Sequence, residues 1–498
     1  MKNPENTRTM TVQRVRTRNM WMGACLLLTV HLFASTAGAS GSFESGKITD
    51  YVSTNGVNEQ CIELAPMPKA HYSKHDRKTQ SDYCSIDFSK VALCPKLWST
   101  SPGTIIYEID VSKFNNDYSQ FEKQYCAQGH HAKDAAIDKL ASFKISVNDR
   151  STSATYAPSS WTYYHLSRYF KTGVHVPVAV YRSVDKQVHL ERVVKPALSI
   201  IHGRHGLKML GAGWSFLDAV ESGQDMGSAG RAVLTGGDKL VFGSLLDNQG
   251  DRYSMTFNGT RESGWGMGQN YDFQQTAPYL ALRSELPVAD AIKAGVHKAR
   301  SNPKMATKLP ADIEPAQVAF WMNDLLEITL LDYILGQQDR IGNIDYQWRW
   351  FWLDDGKLHS KHARSTEVPT ALAEFRPMRL KRTAINDNDA GVRRGYANFT
   401  MKTSMLSGLR HYSPHLYKKL VHLATDMQSK GEIFQWFVNS SGLSEREITA
   451  IAERTQKAFE LLVADCENGN LKLDLDPSHF LYSTEEIKPM KEHSCRPQ

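Results

Sequence analysis

The chain has 498 residues, 41% hydrophobic and 22% charged, a balance typical of globular proteins and unlike that of disordered or fibrous ones. No run of 18 or more apolar residues occurs, so no bilayer-spanning helix is expected in the mature chain. Of the formal charge of +6, residues 1–39 hold +4, from five basic residues against one acidic. The remainder, about +2, is too small for a general nucleic-acid binder.

The N-terminus reads as a secretory signal peptide. Arg8, Arg14, Arg16 and Arg18 form a basic leader, "MWMGACLLLTVHLFA" a short apolar core, and Ala37-Gly38-Ala39 a cleavage site. Cleavage after residue 39 removes Cys25 and leaves six cysteines: Cys61, Cys84, Cys94, Cys126, Cys466 and Cys495. An even number in an exported chain predicts disulfides, paired within the first four and between the last two. No Cys-x-x-Cys or paired-histidine spacing supports zinc instead.

Residues 40–130, rich in Ser, Asn and Lys, read as an irregular disulfide-stapled extension. "LASFKISVND" (140–149) alternates apolar and polar residues as a half-buried strand does. "SSWTYYHLSRYF" (159–170) has helical spacing. "HVPVAVYRSV" (175–184) reads as a strand and 185–194 as a short helix. Residues 203–275, Gly-rich and polar, predict loops and a hairpin. "PAQVAFWMNDLLEITLLDYILG" (315–336) is the strongest helix. "YQWRWFWLDDGKL" (346–358) reads as a strand leading into a DDGK turn, and 378–385 as another strand. Two helices close the chain, one announced by Ser413-Pro414 and one by Ser444 with Glu447.

The chemistry concentrates where the long helix ends. "DRIGN" (339–343) follows it, two strands come next, and "NDNDAG" (386–391) follows them. Phosphoryl transfer in kinases uses such an order. One Asp accepts the proton of the acceptor hydroxyl, and a nearby Asn and a later Asp hold Mg²⁺ against the phosphates. The ligands on offer are hard oxygens, suited to Mg²⁺ or Mn²⁺.

"LLDYILGQQDRIGN", "INDNDAGV" and "MLSGLRHYSPHLYKKL" together resemble the kinase core of the secretory-pathway atypical kinases. That family includes the Golgi casein kinase, the glycosaminoglycan xylosylkinase and Four-jointed. The resemblance implies a two-lobed α+β atypical protein kinase-like fold with a disulfide-containing N-terminal extension. The N-lobe would span 131–200, an insertion and lobe connection 201–310, and the C-lobe 311–498. It implies Asp339 as the catalytic Asp, Asp387 as the metal ligand with Asp389 as fallback, and Asn343 as a further ligand. Upstream, "ASFK" resembles the strand of the ATP-binding lysine, which makes Lys144 the phosphate contact. ATP with Mg²⁺ or Mn²⁺ would be the cofactors. The partner would be a hydroxyl acceptor on a protein or glycan, with no nucleic acid, in a secreted, periplasmic or secretory-lumen location. The sequence departs from the family in three places: Asn343 lies four residues after Asp339 where the common protein-kinase loop uses five, no Gly-rich phosphate loop of regular spacing precedes Lys144, and the helix after it lacks a carboxylate. That helix usually carries a Glu that pairs with the Lys, and here Ser160 stands near that position. This departure keeps open a catalytically inactive secreted pseudokinase or binding protein.

Overall fold

The computed structural model describes residues 43, 46–128, 130–149, 151–201, 208–248, 250–392, 398–482 and 495–496. The predicted leader lies outside them. Two antiparallel sheets organise the α+β fold. The larger contains β1 (Lys47–Val52), β2 (Asn58–Glu63), β3 (Ala92–Pro95), β4 (Thr104–Glu108), β5 (Asp138–Ile145), β6 (Ala179–Asp185), β7 (Leu234–Thr235) and β8 (Leu240–Leu246). Their order is β1-β2-β6-β8-β5-β4-β3, with β7 also on β8. The smaller sheet has β9 (Asp251–Arg252), β10 (Ile344–Asp354), β11 (Lys357–His362) and β12 (Met378–Ile385). Its order is β11-β10-β12, with β9 on β10. A parallel bridge between His175 and Ala384 joins the segment entering β6 to β12.

The stretch read as an irregular extension is woven into the large sheet, where β2 pairs with β6 and β4 with β5. Its disulfides tie helices to strands. Cys61 in β2 bonds Cys84 at the end of the Lys74–Cys84 helix, and Cys94 in β3 bonds Cys126 just past Tyr118–Tyr125. Cys466–Cys495 closes the predicted C-terminal pair. Among the described residues no helix is long and apolar enough to cross a membrane. Three disulfides fit an extracellular or lumenal protein.

Residues 203–275 differ from their reading as loops. The helices that frame the site are α1 (Ala157–Phe170), α2 (Lys208–Glu221) and α3 (Pro315–Leu335). Helix α2 buries Leu210, Trp214, Phe216, Leu217 and Val220, and β8 lies between β6 and β5. The glycines responsible for the loop reading permit close packing. A Cβ at Gly213 would lie 2.6 Å from Pro102 Cγ, and one at Gly243 would lie 2.4 Å from the Lys144 carbonyl oxygen.

Helix α3 begins with Pro315 at its first turn and ends at Gly336 in the left-handed region. It is buried on nearly every side. Its polar residues therefore have partners. Asp324 accepts from Thr383 Oγ1, and Glu327 accepts from the backbone N–H groups of Gly173 (2.9 Å) and Val174 (2.8 Å). The closing helices α4 (Pro414–Ser429) and α5 (Glu445–Glu467) start at the predicted caps. Ser413 Oγ accepts from Leu416 N, and Ser444 forms a capping box with Glu447.

Candidate active site

Strand β5 is covered on both faces toward its end. Phe143 and Ile145 enter the core, and Lys144 points the other way with only 6% of its side chain exposed. Its partners come from the turn after β12. Lys144 Nζ donates to Asp387 Oδ1 at 2.7 Å and to Asp389 Oδ1 at 3.2 Å. Burial alone would push the Lys144 ammonium down. The two carboxylates outweigh it and hold the group well above the ordinary lysine range. Burial likewise works against ionised Asp387, but Lys144 and then Lys96 bring it well below the usual carboxylate range.

Asp387 has φ 49°, a left-handed backbone that costs a non-glycine residue some strain and is best tolerated by Asn and Asp. Helix α1 holds this turn from behind. Ser159 Oγ donates to the Asn388 carbonyl at 2.6 Å, and Tyr156 N donates to the Asp389 carbonyl at 2.7 Å. A Cβ at Gly391 would lie 2.7 Å from Ser159 Oγ and 3.0 Å from Tyr163 Cε2, so glycine sets how closely the turn approaches α1. Ser160 is buried and its Oγ has no protein partner among the described residues. Lys144 is neutralised by the Asp turn and not by α1.

The loop after α3 is fastened to the same turn. Gln337 Oε1 accepts from the N–H groups of Gln338 (2.9 Å) and Asp339 (3.1 Å), while its Nε2 donates to the Asp387 carbonyl at 3.4 Å. Arg340, 6% exposed, forms two parallel bonds to Asp332, Nε to Oδ2 and Nη2 to Oδ1, each 3.0 Å. It also donates to the Asn386 carbonyl at 2.7 Å and to Asn388 Oδ1 at 2.9 Å. Tyr163 OH of α1 donates to Asp332 Oδ1 at 2.8 Å. One buried guanidinium thus ties α3, the Asp339 loop, the Asp387 turn and α1 together.

Asp339 lies at the open side. Its Oδ1 accepts from Trp265 Nε1 at 3.4 Å. Burial raises its pKa and nearby Asp387 adds to the rise, with the indole N–H pulling the other way. Asn343 braces the loop. Its Nδ2 donates to the Asp339 carbonyl at 2.9 Å, and its Oδ1 accepts from Arg252 Nη1 at 2.9 Å. Arg252 Nε also pairs with Asp345 at 2.7 Å. Asn258, head of an Asn-x-Thr triplet, is 2% exposed and accepts from Gly342 N at 3.2 Å, which makes it a structural support of this loop.

The structure therefore brings Lys144, Asp387 and Asp389 into direct contact and ties the Asp339 loop to them through Gln337. The Asn343 side chain is taken up by the Asp339 carbonyl and Arg252, while its carbonyl accepts from Asn386 N at 3.1 Å. Sequence reasoning missed Gln337, Arg340, Asp332, Tyr163 and Trp265. Arg340 could have been found, because an arginine beside a candidate base after a buried helix needs a carboxylate, and Asp332 lies in the last turn of that helix, eight residues before the arginine. Trp265 carried no comparable signal. Among the described residues no group of three or more His, Cys, Asp or Glu forms a metal cluster. Comparison with family models, curated proteins and solved structures gave no match.

Two carboxylates on one turn, a buried lysine against them and a carboxylate with raised proton affinity on an adjoining loop can bind a cation, bind phosphate and accept a proton. Mg²⁺ is usually held by one or two carboxylates plus substrate phosphates, not by an all-protein cage. The donor set of Asp387 and Asp389 fits that mode.

Proposed function

We propose that the protein is an exported metal-dependent kinase that moves the γ-phosphoryl group of ATP to a hydroxyl of a protein or glycan. The observation that carries this reading is the contact of Lys144 with Asp387 and Asp389, made across more than 240 residues of sequence. Chance turns have no reason to converge on a buried lysine. The order of elements also supports it: a hairpin, the lysine strand and a helix, then a buried helix, the Asp339 loop, two strands and the Asp turn. Asp387 and Asp389 would hold Mg²⁺ or Mn²⁺, which when bound neutralises charge on the phosphates. Lys144 then contacts phosphate as a point charge. Asp339, facing the acceptor, orients the hydroxyl and takes its proton. Arg340 keeps base and metal turn at a fixed separation. The disulfides support an oxidising compartment and, with the leader, export.

The test is incubation of mature protein with labelled ATP and Mn²⁺ or Mg²⁺, with and without an acceptor extract. Label transferred by wild type and not by Asp339→Asn supports the kinase. A second reading, a secreted pseudokinase or binding protein, is favoured by one observation: α1 offers no carboxylate to Lys144, so the lysine occupies both metal-turn aspartates. Nucleotide binding without transfer to any acceptor would establish that reading.

A further inference from the structure

Three lysines line a cavity of about 180 Å³ beside the carboxylate pair, together with Trp98, Ser101, Pro102, Gly103, Thr104, Ser142 and Asn248. Two of them are committed. Lys144 is held by Asp387 and Asp389, and Lys139 by Asp247. The third, Lys96, makes no ion pair among the described residues. It sits at the start of the turn from β3 to β4, whose neck is closed by Lys96 N donating to the Gly103 carbonyl at 2.8 Å. Pro102 on this turn packs against α2 at Gly213, so the turn is anchored to the fold. Burial and the nearby Lys144 lower the proton affinity of Lys96, while Asp387 and Asp389 oppose them, which places its ammonium in the field of all three groups.

An unpaired cation kept in a cleft beside another lysine is costly unless an anion arrives there. The cavity is too small for a whole nucleotide, since pockets that bury ligands of that size run roughly 300–1,000 Å³. It suits a phosphate chain with its base lying outside. In kinases a hairpin loop covers the phosphates above the strand lysine. Here that turn, "KLWSTSPG" (96–103), has a single glycine, so close backbone approach is limited and a side-chain charge can take over the work.

We propose that Lys96 is a second phosphate-binding lysine and that the 96–103 turn walls a polyphosphate subsite shared with Lys144. This rests on the kinase reading for its nucleotide and on the cavity for its position. While Lys144 is bonded to the metal-turn aspartates, Lys96 is the cation free to meet an incoming phosphate chain.

The experiment compares wild type, Lys96→Met and Lys96→Arg by calorimetric titration with inorganic tripolyphosphate, ATP with Mn²⁺, and adenosine. Charge-assisted hydrogen bonds of this kind correspond to about 10- to 100-fold in affinity. Lys96→Met is expected to weaken tripolyphosphate and ATP by that factor, to leave adenosine unchanged, and to be largely restored in Lys96→Arg. Circular dichroism and melting temperature check that the variants fold. Lys96→Met binding tripolyphosphate and ATP as tightly as wild type, while Asp387→Ala loses metal-dependent ATP binding, would overturn the subsite and leave the kinase reading standing. Loss of tripolyphosphate affinity in Lys96→Met supports the subsite even where no acceptor is ever phosphorylated. Wild type binding neither probe would overturn both.

Discussion

Replacing Lys144 with Met removes one cation of similar length and leaves two carboxylates facing each other without it. Lys144 and Asp389 have 6% and 3% of their side chains exposed, and Asp387 has 32%. Removing one partner of a buried ion pair costs about 3–5 kcal/mol. The residual hydration of Asp387 favours the lower end. For the Ala39–Gln498 unit, an unfolding entropy of about 2 cal/mol/K per residue gives close to 1 kcal/mol per degree, so the melting temperature should fall by about 3–5 °C. The pH dependence has a definite sign. Asp387 is depressed in the fold, so its contribution is present above the unfolded value of about 3.9 and is lost as pH falls through the folded one. Without Lys144 the Asp387 carboxylate protonates more readily, so the deficit of Lys144→Met should be largest near pH 7 and shrink toward pH 4.5. Mn²⁺ should rescue the variant more than it stabilises wild type, because the cation finds both carboxylates free. A ligand at 100 times its dissociation constant adds about 2.7 kcal/mol. The assay is thermal unfolding at the two pH values, with and without Mn²⁺. A deficit that does not change with pH, or equal Mn²⁺ response in both proteins, would refute the argument that Lys144 neutralises a cation site.

Asp339→Asn keeps the size of the side chain but not its basicity, so phosphate transfer should drop by about 10²–10⁴ with ATP affinity little changed; equal transfer by both proteins would make Asp339 a turn residue. Because burial raises the Asp339 pKa, the acid limb of activity should lie above the ordinary aspartate range, and a pH–rate profile flat down to pH 4 would contradict this. Burial, with Glu327 beside it, pushes Asp324 up to about 8. A raised acid destabilises the fold increasingly as pH climbs from about 4 to 8, so the stability of Asp324→Asn relative to wild type should improve over that range in urea titrations. Reduction of Cys61–Cys84, Cys94–Cys126 and Cys466–Cys495 should lower the melting temperature, at about 2–5 kcal/mol for a native bridge; six free thiols in non-reducing peptide maps would remove the export argument.

Local chemistry was legible in this sequence wherever it acts over a few residues. The caps at Ser413 and Ser444, the ends of α3 and the span of β12 follow from proline, glycine and hydroxyl placement, and all match the structure. Candidate site residues were legible because Asp, Asn and Gly after a buried helix are costly without a use. Two kinds of feature were not. Glycine read as a loop former was wrong at Gly213 and Gly243, where the absence of Cβ admits a neighbouring Pro102 or β5 backbone. Glycine for φ and glycine for contact look alike in one dimension. Long-range sheet pairing also escaped, because the strands β1–β4 are short and the sequence between them is polar. Only β6 and β5, distant in the chain, provide the edges that complete them.

The absent helix carboxylate has a further consequence for how such a site operates. Where a helix Glu neutralises the lysine, the metal-binding aspartates are left free for the cation. Here α1 supplies Ser159 and Tyr163, which hold the Asp turn by its backbone and through Asp332 but do not neutralise Lys144. On the kinase reading, Lys144 and a divalent cation would therefore compete for the same two carboxylates. The proposed competition would be resolved when an anion arrives to draw Lys144 away, and the phosphate chain of a nucleotide would be such an anion. Metal and nucleotide should then bind with positive coupling: each removes the electrostatic obstacle to the other, so metal affinity should rise with ATP by the same factor as ATP affinity rises with metal. Arg340 would let this exchange proceed without collapse of the turn. Its bonds to the Asn386 carbonyl and the Asn388 side chain hold the residues on both sides of Asp387 whatever that carboxylate binds.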